Sequence, residues 1–322
     1  MKIDTLEGVR LGGITQWIRV RGTDASNPVL LLMQQGPGLP IINDASRLEH
    51  LLGLENAFTV VYWDQRGTGL SARSLRTNAN PFEISVARMV DDTVTLLELL
   101  RDRFGGKTFV AGFSFGATFA AYAAVRRPEL VAALVAAGMD IDVPAAEDSA
   151  YAFALDAARQ RGNRRAIRQL EAIGPPPHTT MRQFTTRARW VASFGGLTTS
   201  GNLNGVLREL IVSLARSPDY PPAAVIRTLR GVMASQAALL PELAATDLVR
   251  ALPRLDVPLI MAQGRLDQVA PGEAAQRFHD SVAAPSKQLT WFESSAHTPH
   301  REEPAKFRDL LMTVRATQLA GA

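Results

Sequence analysis

The sequence predicts an α/β fold, a mostly parallel central sheet covered by helices on both faces, with a helical segment inserted between two of its strands. Three observations predict it. Short, continuously apolar runs alternate with amphipathic helical patterns in the first 141 and the last 72 of the 322 residues. From about Asp142 to about Arg250 helical patterns follow one another with no convincing strand between them. Finally, three apolar runs each end in a loop that carries, in chain order, Ser114, Asp267 and His297.

The elements follow in turn. Residues Gly8 to Arg21 place β-type residues on either side of Gly12-Gly13, a hairpin signal expected at a sheet edge. Val29 to Met33 is apolar throughout, as a strand buried on both faces should be, and it runs into the loop Gln34-Gln35-Gly36-Pro37-Gly38. Phe58 to Trp63 is the next strand, ending in Asp64-Gln65-Arg66-Gly67-Thr68-Gly69-Leu70-Ser71. Ile84 to Phe104 repeats apolar residues at three- and four-residue spacing and stops at Gly105-Gly106, a helix with its C-terminal signal. A strand from Thr108, a helix from Phe115 to Val125 and a strand near Val131 to Ala136 complete the first part.

The inserted segment reads as helices over Ala150 to Arg161, Arg164 to Ile173, Met181 to Phe194, Leu203 to Ala215 and Pro222 to Leu240, punctuated by Gly and Pro. The rhythm then returns with strands at Pro258 to Gln263 and Gln288 to Phe292 and a helix over Pro304 to Ala316. The expected organisation is a core in two parts, residues 1–141 and 251–322, with a helical lid at 142–250.

Composition narrows the function. There are no cysteines, which removes disulfides and thiolate metal sites and agrees with a reducing, cytoplasmic setting; no metal or cofactor is expected. The first seven residues are too polar to open a secretory signal, and no apolar run approaches a membrane span. The net charge of +4 resides wholly in the insertion, which holds 13 Arg against 9 acids, while the rest balances at 22 of each sign. No basic stripe with interleaved aromatics appears, so nucleic acid is not an expected partner, nor is a membrane. A small molecule handled by a monomer or homodimer is the expectation.

The chemistry-bearing stretch is Gly112-Phe113-Ser114-Phe115-Gly116, a G-x-S-x-G between a buried strand and an Ala-rich helix. In that setting the pattern forms a tight turn that lifts the serine hydroxyl out of the sheet and points the next backbone N–H, that of Phe115, into the same space. The plainer reading is a glycine-rich turn whose serine caps the helix. Asp267 and His297 argue against it, because ligands of open α/β sheets bind where the strand ends converge. A serine needs a base to take its proton, and the base needs an acid to fix its tautomer. Of five histidines, His50, His178 and His279 have no strand-end placement, while His300 shares the loop of His297 and is the second candidate for the base.

These residues carry a resemblance. Asp64-Gln65-Arg66-Gly67-Thr68-Gly69-Leu70-Ser71, the Gly36-Pro37-Gly38 loop, the serine turn and Ala296-His297-Thr298-Pro299-His300 together resemble the proline iminopeptidase branch of the α/β-hydrolases. The likeness covers both parts of the core and is weak over the insertion. It implies an α/β-hydrolase fold, a Ser114, Asp267, His297 triad and an oxyanion hole shared by Phe115 and the loop at Gln35 and Gly36. The sequence departs from that branch twice. Gln34-Gln35 stands where the branch reads His-Gly, and a side chain at 35 restricts the backbone. The insertion also lacks a Trp-linked glutamate to grip a substrate amine; Trp190 stands between Arg189 and Val191, with Arg187 nearby.

The expected function is therefore a metal-free serine hydrolase acting on an ester, lactone or amide of a small, largely apolar molecule, with Gln34, Phe113 and Trp190 as candidate substrate contacts. Two alternatives stand beside it: release of N-terminal proline, and a non-catalytic ligand-binding protein on the same scaffold.

Overall fold

The computed structural model describes residues 1–76, 84–201 and 203–321. Eight strands form one sheet in the order β1-β2-β4-β3-β5-β6-β7-β8. β1 (Ile3–Leu11) and β2 (Ile14–Gly22) make the antiparallel edge hairpin. Gly12 and Gly13 both take left-handed backbone angles, φ +52° and +84°, as a two-residue turn matched to strand twist requires. β2 pairs antiparallel with β4 (Thr59–Asp64), and every later pairing, through β3 (Val29–Met33), β5 (Thr108–Phe113), β6 (Val131–Ala137), β7 (Leu259–Gly264) and β8 (Lys287–Phe292), is parallel.

The parallel strands alternate their side chains between two apolar cores. Leu31 and Met33 enter one core, with α2 (Val86–Phe104), α3 (Phe115–Arg126) and α10 (Gly272–Ser281) over it. Leu30 and Leu32 enter the other, covered by α1 (Ala45–Leu52) and α12 (Pro304–Ala320). Both faces are thus dry over β3 to β7, which is why these strands read as largely apolar runs, whereas the edge strand β8 begins exposed at Lys287 and Gln288.

Between β6 and β7 lie α4 (Val143–Gln160), α5 (Arg164–Ile173), α6 (Met181–Ser193), α7 (Leu203–Arg216), α8 (Pro222–Leu243) and the short α9 (Leu248–Ala251). α4 begins seven residues before the periodicity suggests. Its first turns hold few large apolar residues and are announced by the Asp142 cap on the Ala145 N–H (3.1 Å) and by Pro144. The periodic reading also passes over α1 and α10, of eight and ten residues, and over α11 (Pro299–Glu302) inside a stretch read as loop. Among the described residues no helix is long and apolar enough to cross a membrane.

Candidate active site

Ser114 is placed by its neighbours' lack of side chains. A Cβ on Gly116 would collide with the backbone oxygens of Gln34 and Met33, and one on Gly112 with the backbone of Ala117. The turn closes so tightly that Ser114 takes φ +53°, ψ −131°, the one positive φ of a non-glycine among the described residues. Strain of this kind persists where function holds it. The serine precedes α3 but makes no side-chain cap, so the helix-capping reading fails; its hydroxyl goes elsewhere.

Asp267 and His297 meet as the loop order requires. Asp267 Oδ2 is 2.8 Å from His297 Nδ1, and its other oxygen accepts the backbone N–H groups of Val269 (2.8 Å) and Ala270 (2.9 Å). Both side chains are buried. Burial opposes the imidazolium, but the charge and hydrogen bond of Asp267, then the charges of Asp140 and Glu302, outweigh it and raise the His297 pKa above 6.5.

The hydroxyl of Ser114 donates to Asp140 Oδ2 at 2.7 Å, whereas the sequence reading directs it to His297. A hydroxyl has one hydrogen to give, and a buried carboxylate is the strongest acceptor it can swing toward. Asp140 follows β6 and is 6% exposed. Burial pushes its pKa up to about 6 and Asp267 adds to the rise, against the opposing pull of His297 and the Ser114 bond.

A model of the alpha/beta hydrolase fold matches residues 28–304. The chain belongs to the alpha/beta hydrolase fold family. It is 26% identical over 311 residues to a Bacillus subtilis (strain 168) protein named probable aminopeptidase YbaC, covering 96% of this chain and 95% of that one. The proline iminopeptidase of Mycobacterium smegmatis superposes with a TM-score of 0.69 at 19% identity, covering 99% of this chain and all of its own. A proline iminopeptidase-related protein of Thermus thermophilus gives 0.68 at 19% identity, with coverage of 99% and 100%.

In this hydrolase the loop after β3 lies directly on the serine turn. The Gln34 side chain is committed to Gln65: its Nε2 donates to Gln65 Oε1 (2.9 Å), tying two loops together. Gly36 has φ +129°, and Gln35 leaves its Oε1 buried without a partner. The motif from Asp64 to Ser71 is a brace. Asp64 accepts from the N–H groups of Ile41 (3.0 Å), Ile42 (3.2 Å) and Leu70 (2.8 Å) and from the Tyr220 hydroxyl. Arg66 is fully buried against Asp92 (2.8 and 3.0 Å) and the Gly12 carbonyl (2.9 Å), pinning the same loop to the edge hairpin.

A cavity of about 220 Å³ opens beside the turn, with Gln34, Gln35 and Phe113 on one side and Leu203, Val206 and Leu210 of α7 on the other. Two carboxylates line it, Asp44 and Glu209, and each is paired, with Arg301 (2.6 Å) and Arg47 (2.9 Å). A second hollow of about 510 Å³ lies at Tyr122, Glu242 and Arg250; Ser114, Asp267 and His297 line neither, and of the two the first touches the serine turn, through Phe113. Among the described residues no three His, Cys, Asp or Glu side chains gather as a metal would need.

Two candidates fall outside the chemistry. Trp190 does not line the cavity near Ser114; its ring stacks on Phe194 at 5.5 Å, its N–H goes to Gln169 (3.1 Å), and it packs with Ala154, Ala158 and Leu170 within the helical insertion. The arginines beside it on α6 leave its apolar face for packing among the helices. His300 lies 4.0 Å from the Phe113 ring, and burial, reinforced by Arg301, holds its pKa well below 6.5, so it makes a poor base. Asp140 is the site residue that the sequence reading misses. The signal for it is an acid directly past the apolar run next to the serine strand.

Proposed function

We propose that this hydrolase is a serine enzyme that cleaves an ester, lactone or amide of a small, largely apolar molecule. The observation that carries the reading is Ser114 held at positive φ on the serine turn, with the His297–Asp267 pair in the loops that converge there. In this reading the Ser114 oxygen attacks the carbonyl carbon while His297 takes its proton. The electron pair released from the carbonyl settles on oxygen, where the Phe115 N–H and a second donor from the loop at Gln35 and Gly36 would meet it. His297 then returns the proton to the leaving group, and water, activated by the same imidazole, frees the acyl group. Residues 142–250 act as a cap whose helix α7 bounds the acyl site.

The choice of a substrate without an ammonium group rests on charge pairing in the cavity. An ammonium group held in a cavity needs a carboxylate free to receive it, and both acids that line this one already hold an arginine. Glu147, a buried acid of the insertion, is likewise committed to Arg187 at 2.6 Å. The competing reading, release of an N-terminal residue such as proline, is favoured by the full-length likeness to the Bacillus protein.

A panel of aryl esters, lactones and proline arylamide, assayed with the wild-type chain and Ser114→Ala, tests both. Ester or lactone turnover that falls at least roughly a thousandfold in the variant supports the proposal. Efficient turnover of the arylamide alone would replace it with the aminopeptidase reading. Undiminished activity in Ser114→Ala removes the serine mechanism altogether.

A further inference from the structure

Asp140 is a buried carboxylate that no Lys or Arg neutralises among the described residues. Desolvating such a charge is costly, so its retention beside a nucleophile calls for a reason. Its position is fixed from two sides. Thr118 of α3, the helix that starts at Ser114, donates its hydroxyl to the Asp140 carbonyl at 2.9 Å. Two residues earlier, Gly138 forms the surface behind the catalytic imidazole: a Cβ there would stand 3.1 Å from His297 Nδ1 and 2.9 Å from the His297 carbonyl oxygen. The end of β6 is thus packed against the base while its aspartate holds the nucleophile at 2.7 Å.

Resting on the serine-hydrolase reading, we propose that Asp140 is a second catalytic carboxylate, which holds the Ser114 hydroxyl in the free enzyme and supports the His297 imidazolium once the hydroxyl has been surrendered. In the resting state the O–H donates to the Asp140 carboxylate. When a carbonyl group enters, the hydroxyl rotates about its Cβ–Oγ bond and presents its hydrogen to His297. The Oγ–carbon bond forms, the proton passes to the imidazole, and the carbonyl electron pair moves to the oxyanion. Asp140 stays ionised throughout and, with Asp267, leaves the imidazolium between two negative charges.

The groups that face Asp140 are Ser114 from the turn, His297 from the loop after β8 and Asp267 from the loop after β7; Glu302 of α11 acts on His297 in turn. Removing the Asp140 charge leaves Asp267 and Glu302 as the remaining anions acting on His297. The imidazole then protonates at lower pH.

The test is the pH dependence of Ser114 labelling by a fluorophosphonate, which needs no known substrate, in wild type, Asp140→Asn and the smaller Asp140→Ser. The acid limb of the labelling rate, which reports neutral His297, is expected to move to lower pH in both variants. The separation is expected above about pH 6, where the wild-type Asp140 is ionised; there each variant would keep a larger share of its own plateau rate than wild type keeps. The imidazole proton resonance lost in His297→Ala should titrate with the same displacement. A residue that only packs would lower rate or melting temperature without moving the limb. Coincident limbs in wild type and both variants therefore overturn the role of Asp140 and leave the serine mechanism standing. Failure of wild-type Ser114 to label overturns that mechanism first, and the inference with it.

Discussion

At Asp140 the chemistry and the stability of the chain pull in opposite directions. Its pKa of about 6 in the fold lies above the 3.8 of an ordinary aspartate, with burial the largest cause, so the folded state binds a proton more tightly than the unfolded state. Stability therefore falls as pH rises from about 4 to about 6, and above that the fold carries a deficit of about 3 kcal/mol. Asp140→Asn keeps an oxygen to accept the Ser114 hydroxyl and sheds the charge. Denaturant unfolding should show the variant gaining on wild type by that order between pH 4 and pH 7, the advantage appearing only as the wild-type carboxylate ionises. A variant that loses ground as pH rises would reverse the sign and remove the account. Three candidate site residues, Ser114, Asp267 and His297, are legible because each follows a strand in a chemically distinctive loop. Asp140 also follows a strand, but an isolated Met139-Asp140 has no pattern around it, and its role depends on which way one hydroxyl turns.

Among the elements, the serine turn shows how far local sequence fixes local structure. Gly116 packs against the carbonyl oxygens of Met33 and Gln34, and neither can retreat, because both belong to the end of β3 and its loop. Gly116→Ala should therefore cost more than an ordinary helix substitution, about 2 kcal/mol or more of stability, and lose labelling of Ser114 as the loop carrying Gln35 is pushed off the turn. Unchanged labelling with an unchanged melting temperature would show that the turn has slack. The strands β3 to β7 were legible to within a residue or two because they are buried on both faces. The helices were legible where they are long and amphipathic, as α2 is, and not where a cap and a proline mark them, as at the start of α4, or where they span two or three turns, as α1 and α10 do. Tertiary contact decides such short pieces: Leu48 and Leu52 of α1 are buried in a core that the sequence alone does not display.

At the scale of the molecule, the segment between β6 and β7 is sewn to the loops of Asp267 and His297 by its own backbone. His297 donates its N–H to the Leu197 carbonyl (3.1 Å), and Gln268, next to Asp267, donates to Gly196 (3.0 Å). Glu302 completes the seam. One of its oxygens accepts the N–H and hydroxyl of Thr199, both at 2.7 Å, and the other accepts the N–H of Ala296 (2.9 Å) and the hydroxyl of Thr298 (3.2 Å) on either side of His297. Only a carboxylate accepts on both oxygens; glutamine would set an NH₂ against donors. Glu302→Gln should therefore behave nearly as badly as Glu302→Ala, each lowering the rate of Ser114 labelling by about 10- to 100-fold through misplacement of the imidazole, with far-ultraviolet circular dichroism unchanged. A Gln variant that labels at the wild-type rate would show that the loop at 194–201 holds its place without this carboxylate. The seam could not be read from the sequence, since Thr199 stands 103 residues before Glu302 and no local pattern links the two. It follows only once the chain has crossed from the helical insertion back into the sheet and laid Thr199 against α11.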